Sequence, residues 1–538
     1  MIYADTILTH ARIYTVDDTQ PWAEAVALRD GRILAVGRAQ EVDDLRGPKT
    51  DVYDLHGRLL LPAFSDAHIH FVWWALQRRQ VDLTDVPTPQ EAAARVAARA
   101  KTLPAGAWVR GGGFNSSLWP GSGWPTKELL DEAAPQNPVA LDSKDGHSLW
   151  VNSRALALAG ITVSTPDPAG GIIRRDARGE PMGILSENAV ALVSNAIPPE
   201  NEEECVAAVR EGIPLAWSAG ITAIHEANDT PDARSFRTFQ ALEQAGELGL
   251  RVLQHIPVAN LEHALDVGLR SGFGNDRLRV GGVKVFADGA LGSRTADMLE
   301  PYVGEPDNRG VAVVDKEELL QLVGRASAGG LLVTVHAIGD RANRHVLDVL
   351  AEVRKQERER GDAYLRHRIE HVQIIHPDDL PRLAQLDVIA SVQPIHATSD
   401  MVMADRHWGE PRVRGAYAYA SLLASGARLA FGSDAPVEPF APLLGIHAAV
   451  TRRRADGKPG PSSWHPEQRL SVEDAVRAYT WGAAYASGEE RARGSIAAGK
   501  VADLVVLSQD IFACRPMDIL KAEVAATFFA GRLVYGKV

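Results

Sequence analysis

Cysteine is nearly missing from this chain: Cys205 and Cys514 are the only two in 538 residues. That excludes a disulfide framework and a cysteine-ligated zinc site, so any metal must be held by histidine, carboxylate or a less usual ligand. No run of 18 apolar residues occurs, and no membrane-spanning helix is expected. Blocks of lysine and arginine with interleaved aromatics are absent as well. With 57 basic against 69 acidic residues the formal charge is −12, which makes nucleic acid a poor partner. The opening Met1-Ile2-Tyr3-Ala4-Asp5-Thr6 lacks a basic n-region followed by an apolar h-region. The expectation is a cytoplasmic protein.

With 45% hydrophobic and 23% charged residues, the chain belongs to the globular class. Its length exceeds one ordinary domain. Residues 1–58 show short alternating segments with a turn at Asp30-Gly31, and the pattern recurs in Ala502 to Leu507 and Ala525 to Val534. Single hairpins are marginally stable, so residues 1–58 and 488–538 are expected to pair into one composite β-sandwich. Residues 71–205 have a different character, mixing Ala-rich helix with short strands and holding Trp73, Trp74, Trp108, Trp119, Trp124 and Trp150. They are read as an inserted α+β domain in which most tryptophans pack the core and a minority line a substrate pocket.

The remainder, 59–70 and 206–487, alternates apolar strands with helices. The apolar run Leu59 to Phe64, leading to His68 and His70, is the first strand. Seven more follow at Gly220–His225, Leu250–Ile256, Val280–Phe286, Leu331–His336, His367–His371, Val388–Gln393 and Arg428–Asp434. Eight strands alternating with helices predict an α/β fold, a (β/α)8 TIM barrel. Catalytic groups of such a barrel stand at the C-terminal strand ends. Those ends carry His68 and His70, which share one face of a strand because side chains alternate, then His336, His371 and Asp434, with Lys284 on strand four. Each has an ordinary structural explanation singly. Together, four imidazoles, a carboxylate and a lysine in one barrel mouth would have to converge there by accident, and histidine plus carboxylate is what a hydrolytic zinc site requires.

These segments carry a resemblance. Leu61-Pro62-Ala63-Phe64-Ser65-Asp66-Ala67-His68-Ile69-His70, Lys284 to Ala296, Val335-His336-Ala337-Ile338-Gly339-Asp340-Arg341-Ala342, Arg368-Ile369-Glu370-His371, Gly432-Ser433-Asp434-Ala435-Pro436 and Gly494 to Leu504 resemble the metal-dependent amidohydrolase superfamily. The likeness is to its family-3, YtcJ-like branch, which includes N-substituted formamide deformylases, and it extends to Asp145 to Ser153 in the insertion.

The resemblance implies a binuclear centre of divalent ions, zinc first among them. His68, His70 and Asp434 would hold one ion and His336 and His371 the other, bridged by Lys284 after carbamylation; an unmodified Lys284 leaves a single ion. Zinc lowers the pKa of bound water to about 7, so a metal-activated hydroxide is available at neutral pH. Asp434 is then the expected general base, with a pure ligand role as the alternative. Substrate contacts are assigned to His147, Asp288, Arg294, His225 and His396; Arg294 alternatively pairs with Asp288 or Asp297, and Asp340 is read as a helix cap. The expected reaction is hydrolysis of an amide-like C–N bond of a small molecule. A deaminase or a carbamate or ester hydrolase would use the same metal set, and a silent binding protein should have lost ligands, whereas all six positions are retained. Neither nucleic acid nor membrane is an expected partner, and a homodimer is left open.

Overall fold

The apolar run from Leu59 to Phe64 reads as one strand, but the backbone divides it between two sheets. Leu59–Pro62 pairs antiparallel with Leu504–Leu507, Leu61 opposite Val505, whereas Phe64–Ile69 enters the barrel. Ala63 is the joint, its N–H donating to Asp503 O while the next amide, of Phe64, reaches Gly220 O, both at 2.9 Å. One run can serve two sheets because both sections are buried on both faces, which leaves no polar alternation to mark the break. The computed structural model describes residues 2–84, 86–114, 119, 124–143, 148–168, 170–227 and 232–538. It resolves into two compact units, residues 1–71 with 209–538, and residues 72–208.

In the first unit the barrel strands are β1 (Phe64–Ile69), β2 (Ile221–Glu226), β3 (Arg251–Pro257), β4 (Leu278–Phe286), β5 (Val333–Ala337), β6 (Arg368–His371), β7 (Ile389–Val392) and β8 (Leu429–Phe431). All neighbours are parallel and follow chain order, within a residue or two of expectation outside β1 and β8. Closure comes just beyond β8, where the Asp434 amide donates to His68 O (2.7 Å) and the Ser433 amide to Asp66 Oδ1 (3.0 Å). The fold is thus an α/β eight-stranded barrel with additional sheets. The helix Asp340–Arg360 that follows β5 buries Val346, Leu347, Leu350 and Val353 and stops at Gly361, whose φ of 69° suits glycine at a helix end. Asp340 is its first residue rather than its cap, because its Oδ1 is committed to the Leu299 amide at 2.8 Å.

Both chain ends contribute to one six-stranded sheet, ordered Arg532–Gly536, Val524–Phe529, Leu504–Leu507, Leu59–Pro62, Arg12–Tyr14 and Trp22–Ala23. A four-stranded sheet (Arg32–Gly37, Ala25–Arg29, Thr6–Thr9, Asp51–Asp54) shares its core, in which Leu8, Val26, Leu60, Leu504, Val506 and Phe528 are buried together. Each such side chain contributes about 1.5–3 kcal/mol by leaving water. Inside the first unit the ion pair Arg251–Asp503 (Nε to Oδ2, 2.6 Å) fastens β3 to the strand that opens at Leu504. Asp503 Oδ1 also takes the Ala530 amide at 2.8 Å.

The second unit is a six-stranded mixed sheet, ordered Gly171–Arg175, Pro181–Glu187, Ser148–Val151, Val139–Ser143, Val109–Phe114 and Val81–Asp82, with the helix Pro89–Ala100 among its elements. Trp119 and Trp150 lie in its core with Phe114, ring centroids 5.5–6.0 Å apart. Trp73 is exposed. Among the described residues no helix is long and apolar enough to cross a membrane.

Candidate metal centre

The C-terminal ends of β1, β5, β6 and β8 bring five of the six expected ligands, His68, His70, His336, His371 and Asp434, into one cluster. Nitrogen and oxygen atoms of His68, His371 and Asp434 all lie within 4.8 Å of one another. Asp434 Oδ1 is 3.4 Å from His68 Nε2 and 3.3 Å from His70 Nε2. The ring centroid of His371 is 4.8 Å from that of His68 and 4.6 Å from that of His336. Lys284 is buried on β4 with its register partner Thr334 on β5, and its Nζ lies 4.7 Å from the Phe286 ring centroid.

Strand alternation alone does not produce this arrangement. Glu370 and His371 are sequential and should face opposite sides, yet Glu370 Oε2 touches His68 Nδ1 at 2.5 Å and the His371 ring also reaches His68. The reason is the backbone of His371, whose φ of 76° lies in the left-handed region and redirects the side chain. Asp434 has φ 62°. Strained backbone at a non-glycine residue costs on the order of 1–3 kcal/mol and persists where the surroundings enforce it.

Three of these histidines have one nitrogen already engaged. His68 Nδ1 meets Glu370, His371 Nδ1 donates to Gln393 Oε1 at 2.8 Å, and His336 Nε2 donates to Gly289 O at 3.0 Å. The other nitrogen of each remains to act as a ligand, the usual pattern by which outer partners orient metal-binding imidazoles. His68 Nε2 is buried with no aligned hydrogen-bond partner among the described residues. An orphaned donor set of imidazole and carboxylate fits a divalent cation, zinc in particular.

The electrostatics agree. Burial, the neighbouring Lys284 and other groups push His336 down to about 3, and burial with the facing His336 drives His371 far below the ordinary imidazole range. Both rings are therefore neutral and able to coordinate. Burial alone would raise Asp434, but the imidazoles of His68 and His70 hold it far below the carboxylate range, so it is an anion. Burial and Lys284 depress His68, and Glu370 with Asp434 outweighs them, leaving it raised.

The expected substrate contacts fare differently. His396 lies at the cluster, Nε2 3.6 Å from Asp434 Oδ2 and its ring stacked 6.2 Å from His371. Asp288 Oδ1 also lies 3.5 Å from His336 Nε2, but its closer partners are backbone amides, and Arg294 and His225 take other partners. Asp288 is buried, with Oδ2 accepting from the Asp297 and Gly339 amides (2.9 and 2.7 Å) and Oδ1 from Ile338 (3.0 Å), so its oxygens organise the loop after β4. Burial nonetheless pushes it up to about 7. Arg294 pairs with Glu305 at 2.6 Å rather than with Asp288 or Asp297; Asp297 is taken by Arg341 (2.7 Å). His225 is wholly buried, its Nδ1 accepting from Arg368 Nη1 at 2.8 Å. His147 lies outside the described residues.

Glu370, Gln393 and Arg368 were assigned no role from the sequence. Two opposite charges, Arg368 and Glu370, on the four-residue buried strand β6 are a legible signal that something in the barrel neutralises them, but not what.

The eight-stranded barrel and its imidazole–carboxylate cluster define the metal-dependent hydrolase class. The chain belongs to the amidohydrolase family, whose model matches residues 51–535. It is 35% identical over 544 residues to LONG AFTER FAR-RED 3 of Arabidopsis thaliana, covering 99% of this chain and 92% of that one. It is 30% identical over 547 residues to the N-substituted formamide deformylase of Arthrobacter pascens, covering 99% and 98%. Among solved structures, an uncharacterized metal-dependent hydrolase from Pyrococcus furiosus superposes with a TM-score of 0.78 at 27% identity, over 94% of this chain and 99% of that one.

Proposed function

We propose that this protein hydrolyses an amide-like C–N bond of a small molecule. The observation that carries the reading is the buried convergence of His68, His371 and Asp434, with His70 on the same carboxylate oxygen. His68, His70 and Asp434 would hold one divalent ion, zinc by the donor set, and His336 and His371 a second, with carbamylated Lys284 between them. When bound, such ions supply an acidified water and a polarised substrate carbonyl.

The chain's own residues supply the rest. Asp434, anionic and turned inward by its left-handed backbone, takes a proton at Oδ from the attacking water and returns it to the leaving nitrogen. His396 stands against the other carboxylate oxygen and orients it. The C–N choice rests on the likeness to the formamide deformylase.

The test is a panel of N-formyl, N-acyl, carbamate and ester compounds offered to zinc-loaded and chelator-stripped protein. Turnover of the C–N compounds that chelation abolishes and zinc restores is the expected result. Protein that stays at well under one equivalent of metal after zinc supplementation, or cleaves only esters, would overturn the reading.

A further inference from the structure

Beneath the cluster lies a chain of buried charges that the proposed reaction does not use. Arg368, at the start of β6, is wholly buried. Its Nε meets Glu370 Oε1 at 2.6 Å and Thr334 Oγ1 at 3.3 Å, while Nη1 and Nη2 reach His225 Nδ1 (2.8 Å) and His255 Nε2 (2.5 Å). Glu370 is equally buried, with Oε1 shared between Arg368 and the Thr334 hydroxyl and Oε2 on His68 Nδ1.

These contacts leave little freedom. Guanidinium is a permanent cation and only donates. Beside it Glu370 is held as a carboxylate, which only accepts, so the proton between Glu370 and His68 belongs to the imidazole. His68 Nδ1 thereby carries hydrogen, and the nitrogen left for coordination is Nε2, the atom that faces Asp434 and has no aligned partner among the described residues. The register of β5 and β6 sets these groups side by side: Glu370 stands opposite His336 and Arg368 opposite Thr334.

Resting on the metal-centre reading above, we propose that Arg368 and Glu370 form a positioning strut that fixes the tautomer and orientation of His68 and so sets the affinity of the centre for its metal. Arg368 acts only through Glu370, by keeping it a carboxylate. Thr334 supports the same oxygen without charge. His225 and His255 are the neutral far end of the strut, where two imidazole nitrogens face the remaining guanidinium groups without adding positive charge. Their rings are driven far below the ordinary imidazole range, first by burial and then by Arg368.

The test measures zinc affinity by chelator competition, and the visible spectrum of the cobalt(II)-loaded protein, for the wild type, Glu370→Gln and the double variant Arg368→Met/Glu370→Gln. Glu370→Gln keeps the shape and removes the charge. Because it strands a buried guanidinium, the double variant, which carries neither charge, guards against misfolding; melting of the metal-free proteins verifies the fold. Losing an outer partner typically costs about 10- to 100-fold in metal affinity, and that loss is expected in both variants, with an altered cobalt spectrum. Removing Arg368 on top of Glu370→Gln should add no further loss. Folded variants with wild-type zinc affinity and an unchanged cobalt spectrum would overturn the strut while leaving the metal centre standing. A wild type that binds neither metal would overturn both.

Discussion

Replacing Asp434 by asparagine tests the proposed chemistry at its narrowest point. The substitution keeps the shape of a buried side chain whose Oδ1 lies 3.4 and 3.3 Å from His68 and His70 Nε2 and whose Oδ2 lies 3.6 Å from His396. It removes the aspartate's negative charge and the basic oxygen proposed to move the proton. Positioned general bases contribute about 10²- to 10⁴-fold. At about 1.36 kcal/mol per decade, that is about 2.7–5.4 kcal/mol of transition-state stabilisation. The assay is kcat/KM on whichever N-formyl or N-acyl compound is turned over, read beside zinc per chain in the same preparation. Asp434→Asn that holds its zinc and loses at least about a hundredfold in rate supports the base role. A loss that tracks zinc content alone would assign Asp434 as a ligand only, and full metal with an undiminished rate would refute the reasoning.

Two further predictions concern stability. Glu357, whose carboxylate takes Arg354 Nη1 and the Ser327 hydroxyl, each at 2.8 Å, and faces His367 Nε2 at 2.7 Å, is held down to about 2 by His367 and these partners against the opposing effect of burial. Because its folded pKa lies below the unfolded value near 4.5, the unfolded chain binds more protons in between. The stabilisation is therefore present above about pH 4.5 and lost as pH falls toward 2. Glu357→Gln should lower stability at pH 7 by on the order of 2 kcal/mol and flatten the acid limb of thermal melts recorded from pH 5 to 2; an unchanged acid limb counts against it. Asp503→Ala strands buried Arg251 and frees the Ala530 amide, and should cost about 3–5 kcal/mol in denaturant unfolding, whereas a cost under about 1 kcal/mol would make this an incidental pair.

Much of the barrel is legible from the chain because its strands are short apolar runs ended by chemistry-bearing residues. His336 closing Val-Thr-Val-His and His371 closing Arg-Ile-Glu-His are picked out by the rule that barrel sites gather at C-terminal strand ends, although alternation alone does not give the side to which His371 points. Substrate contacts were less legible because loop residues choose among several partners of equal chemistry. Arg294 lies near several carboxylates in sequence, and only the path of its loop selects Glu305. Asp288 resembles a site residue, but three backbone amides surround it once the loop has folded.

By itself the sequence determined which residues stand on or at the ends of the strands: two imidazoles two residues apart, two more on later strands, a lysine within the fourth and an aspartate after the eighth. Tertiary structure decided how they are used. It split one apolar run between two sheets, turned His371 and Asp434 inward through left-handed backbone, and set Glu370 against His68 across 302 residues of chain. None of these has a local cause. Each depends on barrel closure and strand register, which bring together groups whose separation along the chain carries no trace of their contact.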